Sequence, residues 1–137
     1  LNGNGRNFGG AVVIGDVNGD GYADLAVGAY AKSSPNDGKA YVFHGTSTGV
    51  SNAATTAANT TVTGSISGYF GYALSLSDVN GDGYSDLAVG AASAGSSGAA
   101  YVFHGATLGV PSAAYTTAAT ILTGVDSTSS FGGALGQ

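Results

Sequence analysis

The strongest constraint on this 137-residue chain is that it repeats itself. Phe8-Gly9 recurs 62 residues on as Phe70-Gly71, and after a further 61 as Phe131-Gly132. Residues 16–22 (DVNGDGY) are identical to 78–84, and 24–29 (DLAVGA) to 86–91. Residues 41–45 (YVFHG) return as 101–105 at a step of 60, so two residues are lost where 31–39 corresponds to the shorter 93–99. Such a change of length marks an exposed loop. Thr63-Gly64 returns as Thr123-Gly124. The chain therefore divides into two full units, 1–64 and 65–124, and the start of a third, 125–137. A copied supersecondary unit has to bury its faces against its neighbours.

Each unit reads as four short strands separated by Gly, Asn, Ser and Pro. The first is 11–15, matched by 73–77; the second is 25–29, with Leu25 and Val27 on one face and Ala26 and Gly28 on the other. The third is 40–44, and the fourth is 60–63, matched by 120–123. Residues 50–59 allow a helical turn without patterning one. Four strands per repeat of about 60 residues predict an all-β fold of β-propeller blades, two per chain. The small residues opposite Leu25 and Val27 suit sheets stacked at close range. Two blades alone would leave two apolar faces wet. The chain is thus expected to be an excerpt of a longer array, or to form a homo-oligomer in which three or four copies close a ring.

Composition narrows the function. Without Cys there is no disulfide framework and no thiolate zinc site. Three basic residues, Arg6, Lys32 and Lys39, cannot track a phosphate backbone, so nucleic acid is not an expected partner. No apolar run approaches the roughly 18 residues of a membrane helix, and no membrane insertion is expected. Charged residues are 8% of the chain, against about 25% in ordinary domains. All eight acids are Asp, and six of them fall in two nine-residue windows. Low charge and abundant Gly would also suit disorder, but the regular apolar segments argue against it.

Within residues 16–24, side-chain oxygens stand at loop positions 1, 3, 5 and 9: Asp16, Asn18, Asp20 and Asp24. The Tyr22 carbonyl supplies position 7. Asp78, Asn80, Asp82, Tyr84 and Asp86 repeat the arrangement. Ca²⁺ takes six to eight oxygens, and glycines at 19 and 21 permit the curl that brings alternate groups inward. Three carboxylates this close repel one another without a cation. An ordinary Asn-Gly or Asp-Gly hairpin would explain the turn but not the repeated offsets. Mg²⁺ suits the loop less, because it prefers rigid octahedra that retain water. An EF-hand needs Glu at position 12, where Val27 and Val89 stand here, and a dockerin would also place an acid near there. Two Ca²⁺ ions per chain are expected.

Phe8-Gly9, the loop DVNGDGYADLAVGA and its copy resemble FG-GAP repeats, the blades of integrin alpha-subunit propellers. The resemblance covers nearly the whole chain. It implies a seven-bladed calcium-binding propeller in the parent family, with Asp16, Asn18, Asp20, Tyr22 (backbone) and Asp24 on one ion. Asp78, Asn80, Asp82, Tyr84 (backbone) and Asp86 would hold a second. It also implies an extracellular or cell-surface setting and a role in adhesion or ligand recognition, some relatives binding glycans.

Other candidates are weaker. Gly45-Thr46-Ser47-Thr48-Gly49 matches the G-x-S-x-G nucleophile elbow, but its counterpart at 105–109 has no Ser and no amphipathic helix follows. No acid, base and nucleophile constellation appears outside the Asp loops, so a non-catalytic module is expected. His44 and His104 end equivalent strands and could be ligands, though strand-end side chains of this kind are more often structural. Asn59-Thr60-Thr61 is a glycosylation sequon. Tyr30, Tyr69, Tyr72 and Tyr115 could stack on sugars in a lectin-like module, or pack between blades.

Overall fold

The computed structural model describes residues 6–32, 37–66 and 68–136. The first sheet contains β1 (Arg6–Gly15), β2 (Asp24–Ala31), β3 (Asp37–Phe43) and β4 (Thr60–Ile66), each antiparallel to the one before. The second contains β5 (Phe70–Ser77), β6 (Asp86–Ala91), β7 (Ala99–Phe103) and β9 (Thr120–Thr123) in the same meander. These are the two expected blades, and the fold is all-β. The first strand is longer than its apolar core suggests because a bulge between Phe8 and Ala11, repeated between Phe70 and Ala73, carries pairing past the Phe-Gly step. Gly9 and Gly71 take φ values of +84° and +85° there, which favour glycine.

One strand crosses between the units. The short β8 (Ala113–Ala114), from the second unit, pairs in parallel with Val62 and Thr63 of β4 and becomes the fifth strand of the first sheet. Thr60 Oγ1 donates to the Val110 carbonyl, and the Thr61 N–H donates to Ser112 Oγ at 3.0 Å. The Ala-rich stretches before the fourth strands each contain one 3₁₀ turn, Thr55–Ala57 and Tyr115–Thr117.

The core lies between the sheets. Val17, Ala26, Ala40, Val42 and Val62 of the first unit meet Phe70, Leu74, Leu76, Leu87, Val89, Phe103 and Val110 of the second. Close approach depends on the missing side chains at Gly28 and Gly38. A Cβ at either would run into the Gly71 or Phe70 carbonyl oxygen. The third unit begins the same way: Gly90 and Gly98 face the Gly132 and Phe131 carbonyl oxygens, and Phe131 bridges to Gly98. Its start thus sits on the second sheet as Phe70-Gly71 sits on the first.

Among the described residues no second sheet covers the other face of the first sheet, and only the stretch 50–53 borders it. Phe70 is 0% exposed and its counterpart Phe8 is 56% exposed; Leu76 is 6% exposed and Ile14 is 62%. Phe8, Leu25, Val27, Phe43 and Val50 line an open groove of about 310 Å³ there.

Candidate metal centres

The two Asp loops join β1 to β2 and β5 to β6. Each is closed by the same hydrogen bonds. Asp16 Oδ1 accepts the N–H groups of Gly19 (2.6 Å) and Asp20 (3.2 Å), and Oδ2 that of Gly21 (2.9 Å). Asn18 Oδ1 accepts the Asp20 N–H at 3.1 Å, while its Nδ2 donates to Asp20 Oδ2 at 2.9 Å. Asp20 Oδ1 accepts the Tyr22 N–H at 2.8 Å. In the second loop Asp78 accepts from Gly81, Asp82 and Gly83, Asn80 and Asp82 are bonded likewise, and Asp82 accepts from Tyr84. Glycines at 19, 21, 81 and 83 take φ between +72° and +92°, the left-handed conformation this tight curl requires.

Asp24 and Asp86, the ninth positions, sit deeper. Both are buried, and each carboxylate accepts two backbone N–H groups: Val17 and Gly45 for Asp24, Val79 and Gly105 for Asp86, all at 2.8–2.9 Å. They bind the loop to the end of the third strand. Sequence reasoning assigned them only to the cation. The signal for this second task was the glycine ending YVFHG in both units.

The charge on these loops is unmatched by any cationic side chain. Among the described residues the ion pairs are those of Asp37 with Arg6 and Lys39, at the other end of the strands. Backbone N–H groups, chiefly that of Gly83, hold the Asp78 carboxyl below the usual carboxylate range. The donor set of each loop is all oxygen and mostly anionic, and a carboxylate oxygen that accepts one N–H retains a second lone pair. That chemistry fits a hard divalent cation. Still, no three Asp, Glu, His or Cys side chains converge on a common point among the described residues.

The remaining candidates separate. Residues 46–49 form a reciprocal turn, the Thr46 and Gly49 N–H groups each donating to the other's carbonyl, and Ser47 is exposed. His44 places Nε2 against Gly109 in the seam between the sheets, buried and without a hydrogen-bond partner among the described residues, whereas His104 is exposed. Asn59 is exposed, and its Oδ1 accepts the His44 N–H at 2.8 Å. Tyr30, Tyr69 and Tyr72 form one aromatic cluster with centroids 5.0–6.2 Å apart, and Tyr115 stands edge-on to Tyr101. Among the described residues no helix is long and apolar enough to cross a membrane.

The chain is 39% identical over 114 residues to phosphatidylinositol-glycan-specific phospholipase D of Bos taurus, covering 74% of this chain and 14% of that protein. It is 36% identical over 110 residues to human integrin alpha-7, covering 75% of this chain and 9% of the relative. It is 43% identical over 82 residues to integrin alpha-PS2 of Drosophila melanogaster, covering 57% of this chain and 6% of the relative. The chain therefore spans about a seventh of these relatives or less. The FG-GAP repeat model matches residues 8–43 and 70–103, the strand–loop–strand–strand portion of both units, and the chain belongs to the FG-GAP repeat family.

Proposed function

We propose that this chain is a non-catalytic, calcium-binding β-propeller module that serves recognition or adhesion outside the cell. The observation that carries the reading is the pair of Asp-rich loops, alike at eight of nine positions, all-oxygen and without a cationic side chain to balance them. Asp16, Asn18, Asp20 and Asp24, with the Tyr22 carbonyl, would hold one ion. Asp78, Asn80, Asp82 and Asp86, with the Tyr84 carbonyl, would hold the other. The ion would neutralise each loop and fasten the first two strands of its blade. Likeness to integrin alpha chains supports the recognition role; the phospholipase activity in the other relatives' name belongs to much longer proteins. The open face of the first sheet supports further blades beside it, from copies of this chain closing a trimer or tetramer or from a longer parent.

Calorimetric titration with calcium tests the assignment. Two ions should bind, and binding at 100 times Kd should stabilise the fold by about 2.7 kcal/mol per site. Unchanged binding after combined Asp20→Ala and Asp82→Ala would remove the loops from the reading.

A lectin-like reading has one observation of its own. A cavity of about 320 Å³ beside Tyr101 is lined by Ser96, Ser97 and Thr123, a ring with hydroxyls around it. In the first unit Lys39 occupies the matching place, its Nζ bonded to Thr63 Oγ1 at 2.9 Å. A glycan array probed with the calcium-loaded protein tests it, and silence across the array would exclude it.

A further inference from the structure

Asn18-Gly19 and Asn80-Gly81 are the Asn-Gly steps among the described residues, and each lies within an Asp loop. Asparagine is among the chemically labile residues. The backbone nitrogen of the next residue can attack its side-chain amide carbon. The attack is easiest when that residue is glycine, which has no Cβ in the way. Three partners govern it: one that takes the proton from the attacking nitrogen, one that meets the charge growing on the amide oxygen, and one that holds the departing nitrogen.

Each loop supplies all three. The Gly19 N–H donates to Asp16 Oδ1 at 2.6 Å, within reach of a general base. The Asp20 N–H donates to Asn18 Oδ1 at 3.1 Å, a backbone donor where negative charge would develop. Asn18 Nδ2 donates to Asp20 Oδ2 at 2.9 Å. In the second loop the Gly81 N–H donates to Asp78 Oδ1 at 2.7 Å, the Asp82 N–H to Asn80 Oδ1 at 3.0 Å, and Asn80 Nδ2 to Asp82 Oδ2 at 2.8 Å. Gly19 and Gly81 are exposed, so water reaches both steps. Asn7, Asn52 and Asn59 precede Phe8, Ala53 and Thr60, whose side chains obstruct the same attack.

We propose that Asn18 and Asn80 are sites of self-deamidation, promoted by the loops that carry them. The Gly19 nitrogen bonds to Asn18 Cγ while Asp16 takes its proton. The Cγ–Nδ2 bond then breaks, solvent delivers a proton to Nδ2, and ammonia leaves. Water opens the cyclic imide at one carbonyl or the other, giving aspartate or isoaspartate. Asp78, Gly81 and Asp82 do the same for Asn80. The net reaction consumes only water. Each conversion adds one negative charge to a chain whose formal charge is −5. Where aspartate forms, loop position 3 gains a carboxylate that the encoded residue lacks. Where isoaspartate forms, the backbone lengthens by a methylene and the alternation of the loop's oxygens is lost. The modification goes beyond the calcium reading and does not depend on it.

The test is peptide mass spectrometry of the unmodified protein held at neutral pH, folded and in guanidinium chloride, with fragmentation that separates the two products. Asn18 and Asn80 should convert about 10-fold faster in the folded chain, a modest share of the roughly 10²–10⁴-fold that a positioned acid or base contributes. Asp16→Asn keeps the shape of the side chain and removes the base. It should slow conversion at Asn18 toward the unfolded rate, while Asn80 in the same sample keeps its own. Should Asp16→Asn unfold the chain, the comparison of folded and unfolded unmodified protein decides alone. Conversion in the folded chain no faster than in denaturant would overturn the inference. So would an Asn18 rate indifferent to Asp16→Asn in a folded variant. Neither result bears on calcium binding, which titration measures separately.

Discussion

Phe8 and Phe70 are the same residue of the repeat in two surroundings, and truncating each in turn measures what blade stacking contributes. The Phe70 ring is fully buried, 5.4 Å from Tyr101 and 6.4 Å from Phe103 by ring centroid, and its Cβ sits where Gly64 leaves room. Burying a ring of about 150–250 Å² at about 25 cal/mol per Å² is worth about 4–6 kcal/mol, and measured Phe→Ala losses in cores run about 3–5 kcal/mol. Phe70→Ala should therefore cost about 4 kcal/mol. Phe8 keeps 56% of its surface in water and touches Tyr41 at 6.0 Å. Its truncation opens no cavity and should cost about 1 kcal/mol. Urea unfolding followed by far-UV circular dichroism gives both numbers. At a slope of about 2 kcal/mol per molar, the midpoint should fall by about 2 M for Phe70→Ala and about 0.5 M for Phe8→Ala. Equal shifts would mean that the seam between the sheets does not carry the stability assigned to it, and the stacking argument would fail.

Other consequences follow from the same geometry. Gly28→Val forces a side chain into the Gly71 carbonyl and should lower the midpoint by more than 1 M urea, whereas Gly136→Ala, with open space around it, should not move it. Asp24→Asn keeps the shape but turns one of two N–H acceptors into a donor, so thermal melting without calcium should show a loss of about 2–4 kcal/mol. Partial burial pulls the Asp37 pKa upward, but the Arg6 and Lys39 charges outweigh it and hold the carboxyl below its ordinary value. Its stabilising effect is complete above the unfolded pKa of about 4 and is lost as pH falls through the lower folded value. The melting temperature of the calcium-free chain should thus drop below about pH 4, and Asp37→Asn should make that drop shallower.

The sequence made the blades legible because the repeat is strong and the first two strands of each unit alternate apolar with small residues. The Asp loops were legible as a candidate site for a different reason: oxygens at alternate positions, twice, fit few purposes. What it concealed lies between units. Nothing in residues 113–114 marks them as a strand, since two alanines carry no period; their pairing depends on β4 arriving beside them. The burial of Val17 against the exposure of Val79 is equally invisible, because the two stand in identical heptapeptides and differ only in what lies across the seam. His44 and His104 show the same effect: equal in sequence, they end up one in the seam and one in water. A repeat displays its interior in every copy and its neighbours in none.

The lace formed by residues 110–114 makes the unit copied in the sequence and the unit held together in space two different objects. A genetic cut at residue 64 would separate β4 from the strand that completes its edge. A cut after Ala114 would carry that strand along and leave the first sheet whole. It would, however, part β9 from β7, so that any cut within such an array breaks either a blade's own meander or the lace that ties the blade to its neighbour.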